Sequence, residues 1–247
     1  LIGKMLASGL YPRMSPPNAV ATVTRLSLDR PEAIVEEFRR LGLSRVQLGP
    51  VEPFGLAQKN WNRVGITASE YARFYRRALE RMIDLCRDYP LVYEKGAAIF
   101  LAAIFGRPGS VSHWAEGVCQ FAYDIHGGVY PSDEGRLLAC QGDGFFRLGN
   151  VRENGPADIA RHRLVGAMIL WNLRQAQPLC SRCAYSPFCQ SVRLSAPHHA
   201  AQQQLPWGNL ASSRRCAIFT EVFDLLFEKL KNPRIKTIFE RWADLAR

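Results

Sequence analysis

Four cysteines, Cys180, Cys183, Cys189 and Cys216, constrain this chain more than any other feature. The two-residue gap in Cys180-Ser181-Arg182-Cys183 lets neighbouring thiolates turn onto one metal centre. Cys189 follows after five residues that include Pro187, and Cys216 enters from well downstream, just before an apolar run (Ile218, Phe219, Val222, Phe223, Leu225, Leu226). Four soft ligands, three local and one distant, suit a small loop-rich domain closed on an iron–sulfur cluster, whose binding supplies stability that such a region cannot draw from a core of its own. The rival on the same sulfurs is a structural zinc; zinc sites usually close with a second Cys-x2-Cys or a His pair, and His198-His199 keep that option open.

The chain has seven cysteines, an odd number and clustered. A secreted disulfide scaffold would be smaller and would spread its cysteines more evenly. Metal-ligating thiols in the reducing cytoplasm fit better. Cys86 falls at helical spacing among apolar residues and reads as core.

Upstream, Val20-Ala21-Thr22-Val23-Thr24 is a β-rich run. Asp29-Arg30-Pro31-Glu32 reads as a helix start with Asp29 as N-cap. Ile34, Val35, Phe38 and Leu41 form one apolar face, Gly42 supplies the stop, and Arg45-Val46-Gln47-Leu48 is a second strand. Strand, helix and strand in about 30 residues make a βαβ unit and demand a parallel sheet. The Pro-, Gly- and Asn-rich segment from Gly49 to Val64 lies past a strand's C-terminal end, where ligands bind in barrels and open α/β sheets. Thr67-Ala68-Ser69-Glu70 is a capping box for a helix carrying Tyr71, Phe74, Tyr75, Ala78, Leu79, Met82 and Ile83. From about Gly106 the texture changes. Phe121 to Ile125, a His126-Gly127-Gly128 turn, and Val129-Tyr130 predict a β-hairpin. Gly142-Asp143-Gly144 is a further turn, a helix is expected over roughly 156–174, and two last helices split at Asn232-Pro233.

The 247 residues, 47% hydrophobic, allow one large domain or two modest ones. No apolar run reaches the roughly 18–20 residues that cross a bilayer. The opening Leu1-Ile2-Gly3-Lys4-Met5 is no signal peptide and reads as entering mid-fold. The net charge of +10 is distributed along helices, as at Arg73, Arg76, Arg77 and Arg81, which suggests a solvated helix face; an acidic or extended peptide drawn in by the positive field is the functional alternative. Nucleic acid fits less well. Ser112-His113 and Asp124-Ile125-His126 lack the context of a catalytic set, His162 reads as solvated within its helix, and Gly106-Arg107-Pro108-Gly109 lacks the Lys-Ser/Thr ending of a phosphate loop.

The spacing Cys180-x2-Cys183-x5-Cys189, then Cys216, resembles the SPASM domain, the auxiliary-cluster module at the C-terminus of many radical S-adenosylmethionine peptide maturases. Cys119 with Asp124 to Glu134 is similar to that family's hairpin, and Gly142-Asp143 with Phe146 to Val151 has its look. Leu41-Gly42 and the Gly49 to Ala57 loop resemble late barrel segments of maturases in His-Xaa-Ser peptide systems. The likeness spans about residues 20 to 230. A full SPASM domain carries seven cysteines for two clusters; here Ser132 and Arg193 stand where two of them belong. Both fall on the first auxiliary cluster, whereas Cys180, Cys183, Cys189 and Cys216 match the second. The resemblance therefore implies one auxiliary [4Fe-4S] cluster, with Cys119 a leftover or lone thiol.

It also implies an α/β fold: the C-terminal part of a partial (β/α) barrel over 1–110, a small α+β iron–sulfur (SPASM/twitch-like) domain over 111–216, and C-terminal helices over 217–247. The family's Cys-x3-Cys-x2-Cys motif is absent from the sequence. S-adenosylmethionine and its own cluster are thus expected only if a missing N-terminal half, or a partner chain, supplies them. Expected partners are a precursor peptide and an electron donor such as flavodoxin or ferredoxin, without a membrane, and catalysis by this chain alone is not expected. Two other readings stand beside this one: a non-enzymatic, zinc-stapled module binding peptide or nucleic acid through the hairpin aromatics Phe121, Tyr123 and Tyr130, and a decayed paralogue retaining a structural cluster.

Overall fold

A computed structural model describes residues 4, 18–53, 55–86, 92–108, 120–172, 179–189 and 214–246. In chain order its main elements are β1 (Ala19–Val23), α1 (Pro31–Arg40), β2 (Arg45–Pro50), α2 (Ala68–Leu85), β3 (Tyr93–Glu94), α3 (Lys95–Ile104), β4 (Ala122–Tyr123), β5 (Gly128–Tyr130), α4 (Asp133–Cys140), β6 (Gly149–Asn150), α5 (Arg163–Asn172), α6 (Arg214–Leu230) and α7 (Pro233–Asp244). They fall into two compact units. One takes the described residues of 1–53, 60–110 and 218–247, the other those of 54–59 and 111–217.

The first unit is built on a parallel sheet in the order β1-β2-β3, with Ala19 opposite Val46 and Arg45 opposite Tyr93. The expected βαβ unit is present: α1 returns the chain from β1 to β2, and Gly42, at φ 75°, turns it off the helix. The start of α1 differs from expectation. Arg30, not Asp29, is the cap residue and no side chain caps the helix; Pro31 stands in the first turn, where its missing N–H costs nothing and its fixed φ starts the helix. The capping box on α2 holds as read, with Thr67 Oγ1 accepting from Glu70 N–H at 3.2 Å and Glu70 accepting from Thr67 N–H at 2.7 Å. Tyr71, Phe74, Tyr75, Ala78, Leu79, Met82 and Ile83 form its buried face. Around α3 the packing is aromatic. Phe100 meets Phe219 of α6 edge-on, with ring centroids 5.2 Å apart, and Phe223 at a tilt, 4.8 Å apart, and Trp242 of α7 is fully buried beside Phe239. Asn232 caps α7 by accepting from Arg234 N–H at 3.0 Å, so the split at Asn232-Pro233 is real.

The second unit is smaller in every element. β4, β5 and β6 form an antiparallel sheet with Ala122 opposite Tyr130 and Gly128 opposite Asn150. Val129, Leu148, Ile159, Leu164 and Val165 make one apolar cluster; Leu138, Phe146 and Met168 make another. The single helix expected over 156–174 is broken: Pro156–Ala160 and α5 are separate, with His162 between them. His162 Nδ1 accepts from Leu164 N–H at 3.3 Å, satisfying a donor of the second helix's first turn in the manner of a cap. Among the described residues no helix is long and apolar enough to cross a membrane.

Candidate metal centre

The four singled-out cysteines all lie in the second unit, on two segments. Cys180 opens a turn of 3-10 helix (Cys180–Arg182) and is half-buried; Cys183 is exposed and Cys189 half-buried. Backbone bonds fold this stretch tightly: Cys183 N–H donates to Cys180 C=O at 3.2 Å, Ser186 N–H to Cys183 C=O at 3.0 Å, and Cys189 N–H to Tyr185 C=O at 2.8 Å. Three thiols are thus carried on ten residues by consecutive turns, which is what a Cys-x2-Cys-x5-Cys segment needs if it is to present them together. Cys216, half-buried, stands in the first turn of α6, where the helix end favours negative charge.

None of the four is in a disulfide. As a donor set they fit a soft metal centre, and a four-sulfur set suits iron–sulfur or zinc equally in kind. Among the described residues no three His, Cys, Asp or Glu side chains are grouped so as to hold a metal ion. The thiols are therefore not gathered into a preformed cage in this structure, and metal binding and closure of the segment would be coupled. Cys119, Arg193, Phe54, Ser112-His113 and His198-His199 lie outside the described residues. Ser132 is buried, at 4% exposure, and its Oγ caps α4 by accepting from Gly135 N–H at 3.3 Å. Cys140, a further exposed thiol of this unit, closes α4 and went unremarked in the sequence.

The other sequence candidates have structural work. Asp124 accepts from His126 N–H, Gly128 N–H and Tyr130 O–H, each at 2.8 Å, and these bonds, the Tyr130 hydroxyl foremost, hold its carboxyl below the ordinary range. Of the hairpin aromatics Tyr130 is buried, Phe121 packs partly into the apolar cluster, and Tyr123 is 57% exposed. The Gly49 to Val64 segment is not a plain loop: it contains helical turns at Leu56–Lys59 and Trp61–Val64, and 54–59 group with the second unit. Nor are the α2 arginines simply solvated. Arg77 is bidentate on Glu32, Arg81 pairs with Glu36, and Arg76 is bidentate on Glu228 at 2.8 Å.

Sequence reasoning missed a buried carboxylate. Glu94, at 1% exposure, accepts from Leu48 N–H at 3.1 Å, Ala97 N–H at 2.5 Å and Tyr75 O–H at 2.7 Å, while Tyr71 O–H donates to Leu48 C=O at 2.6 Å. Strand β3 is two residues long, so side chains finish the ladder that its backbone leaves short along β2. Burial pushes the Glu94 carboxyl up against these opposing hydrogen bonds, and burial also keeps Tyr75 protonated.

No family model and no curated protein sequence matches the chain. Solved structures do. Over 96% of its length it superposes on native anSMEcpe with bound AdoMet and the Kp18Cys peptide, with a TM-score of 0.68 and 16% identity, covering 61% of that chain. The form with AdoMet and the Cp18Cys peptide gives 0.68, 16% and 62%. anSMEcpe is an anaerobic sulfatase-maturating radical S-adenosylmethionine enzyme with a SPASM domain. The chain thus spans about three fifths of the length of these structures, and at this identity what it shares with them is the fold: α/β, the C-terminal part of a partial (β/α) barrel followed by a small α+β domain.

Proposed function

We propose that this chain is the C-terminal part of a radical S-adenosylmethionine maturase that modifies a ribosomally made peptide. Cys180, Cys183, Cys189 and Cys216 would hold its one auxiliary [4Fe-4S] cluster, for electron transfer or peptide positioning. The observation that carries this reading is a fold likeness over nearly the whole chain to a protein solved with AdoMet and a peptide, in a sequence whose matching region bears the four cysteines. The Gly49 to Ala57 segment supports, within this family, the His-Xaa-Ser system maturases. The radical-generating cluster, S-adenosylmethionine and the Cys-x3-Cys-x2-Cys motif belong to the missing N-terminal half or a partner chain. Flavodoxin or ferredoxin would supply electrons, and the cytoplasm is the expected compartment.

Anaerobic reconstitution with iron and sulfide tests this first. About four irons and four sulfides per chain, with a brown chromophore, support it. One tightly held zinc in a colourless protein would move the account to a metal-stapled binding module. The isolated chain given S-adenosylmethionine and a reductant should form no 5′-deoxyadenosine; formation of that product would contradict the assignment of radical generation to another segment.

A further inference from the structure

The parallel sheet of the first unit is apolar on one face only. Parallel strands are ordinarily covered on both sides and read as near-continuous apolar runs, yet β2 opens with polar and apolar residues in alternation, Arg45-Val46-Gln47-Leu48. The register sorts the side chains. Ala19, Ala21 and Val23 share a face with Val46, Leu48 and Glu94, and α2 reaches that side through the Tyr75 O–H on Glu94. The opposite face, which in a (β/α) barrel is the inward one, carries Val20, Thr22, Arg45, Gln47, Gly49 and Tyr93. Val20 is 67% exposed there and Thr22 is exposed, so this face is no closed core. Arg45 and Gln47 are half-buried. Among the described residues the Arg45 guanidinium makes no hydrogen bond and no ion pair, and its Nε is shut off from solvent. Burial pushes the Tyr93 hydroxyl up, and the Arg45 charge on the neighbouring strand opposes that. A half-buried cation without an anion is costly, and Glu94, the carboxylate of β3, belongs to the other face.

We infer that this face binds an extended peptide carrying an acidic side chain, whose carboxylate pairs with Arg45 while Gln47 and Thr22 hydrogen-bond its backbone. This deepens the reading under Proposed function and rests on it, since it names the chemistry of the peptide at the contact. A guanidinium offers its planar fork to a carboxylate, and a carboxamide both donates and accepts, as a peptide group requires. The net charge of +10 favours the same partner at longer range. Arg45 opens β2, and Gly49 lies four residues on, about 13 Å along an extended strand. The carboxylate contact is therefore at the other end of the strand from the Gly49 to Val64 segment.

The test is selection from a library of random displayed peptides on the immobilised full chain, beside Arg45→Gln, Gln47→Ala and Arg73→Gln, the last removing the same charge from α2. Peptides recovered by the parent and by Arg73→Gln are expected to be enriched in Asp and Glu, and those recovered by Arg45→Gln are not. A recovered peptide remade with Gln for its Glu should bind the parent about tenfold more weakly, as loss of one charge-assisted contact implies, and the two forms should bind Arg45→Gln alike. Gln47→Ala should weaken both forms together and keep the Glu preference, which holds the test open if Arg45→Gln does not fold. No acidic enrichment by the parent, or the same Glu preference in Arg45→Gln, would overturn the inference. Iron uptake by the same preparation reports separately: uptake without the Glu preference overturns this inference alone, whereas no uptake overturns the functional reading.

Discussion

The two units are stabilised by different means. In the first, a parallel sheet and long helices bury large side chains completely, among them Trp242, Phe74, Phe223, Phe239, Leu79 and Leu101, and the surface arginines Arg76, Arg77 and Arg81 are matched to glutamates. In the second, strands of two or three residues and two small apolar clusters are held by capped turns: Asp124 closes the hairpin, Asn150 accepts from Arg152 N–H at 2.9 Å, and Ser132 and His162 begin helices. Its later part carries the four thiols Cys180, Cys183, Cys189 and Cys216. A core of the first kind needs nothing further, whereas a unit of the second kind gains stability from a metal, as small loop-rich domains do.

Truncating the first core should do the most damage. Trp242→Ala leaves a cavity among Phe239 and its neighbours and is expected to cost about 3–5 kcal/mol in urea unfolding, without changing iron uptake by protein that remains folded. Loss of uptake there would blur the distinction between the units. Glu94→Ala should cost about 3 kcal/mol, because it orphans the Leu48 and Ala97 amides and the Tyr75 hydroxyl together; Glu94→Gln should cost less.

The two classes of glutamate separate with pH. Burial raises the Glu94 carboxyl above its ordinary 4.5, so its contribution is full below that value and is lost as pH rises through the raised one. Glu32, Glu36 and Glu228 are lowered, by the Arg77, Arg39 and Arg76 hydrogen bonds first, so their contribution is present above 4.5 and lost as pH falls. Urea midpoints taken upward from pH 4.5 should therefore show the parent's advantage over Glu94→Gln shrinking. An advantage that grows with pH would reverse the assignment. Being exposed, the lowered group should fade with added salt.

Smaller effects probe the second unit. Ser132→Ala removes the α4 cap and is expected to cost about 1 kcal/mol. Arg76→Gln, which breaks an exposed pair in the first unit, should cost under about 1 kcal/mol, less still in salt.

Much of the first unit was legible because its signals are local: the apolar period of α1 and α2, Gly42, and the Thr67 box each lie within a few residues. The hairpin was legible through its glycines, since Gly127, at φ 85°, has no room for a Cβ beside Asn150. Glu94 was not, because its partners Leu48 and Tyr75 lie 46 and 19 residues away and a carboxylate in a sequence reads as surface. The break at His162 was hidden because its flanking residues continue a helical pattern, and the competing cap is a single imidazole nitrogen. At the candidate centre the sequence shows which thiols share a unit, but closure around a metal depends on the ligand itself.

The measurement that bears most directly on the account is a cysteine scan of cluster content under anaerobic reconstitution. Cys180→Ala, Cys183→Ala, Cys189→Ala and Cys216→Ala should each lose most of the iron and sulfide, while Cys86→Ala and Cys140→Ala retain about four of each per chain. Iron that survives all four substitutions, or disappears with Cys140, would contradict the ligand set on which the proposal stands.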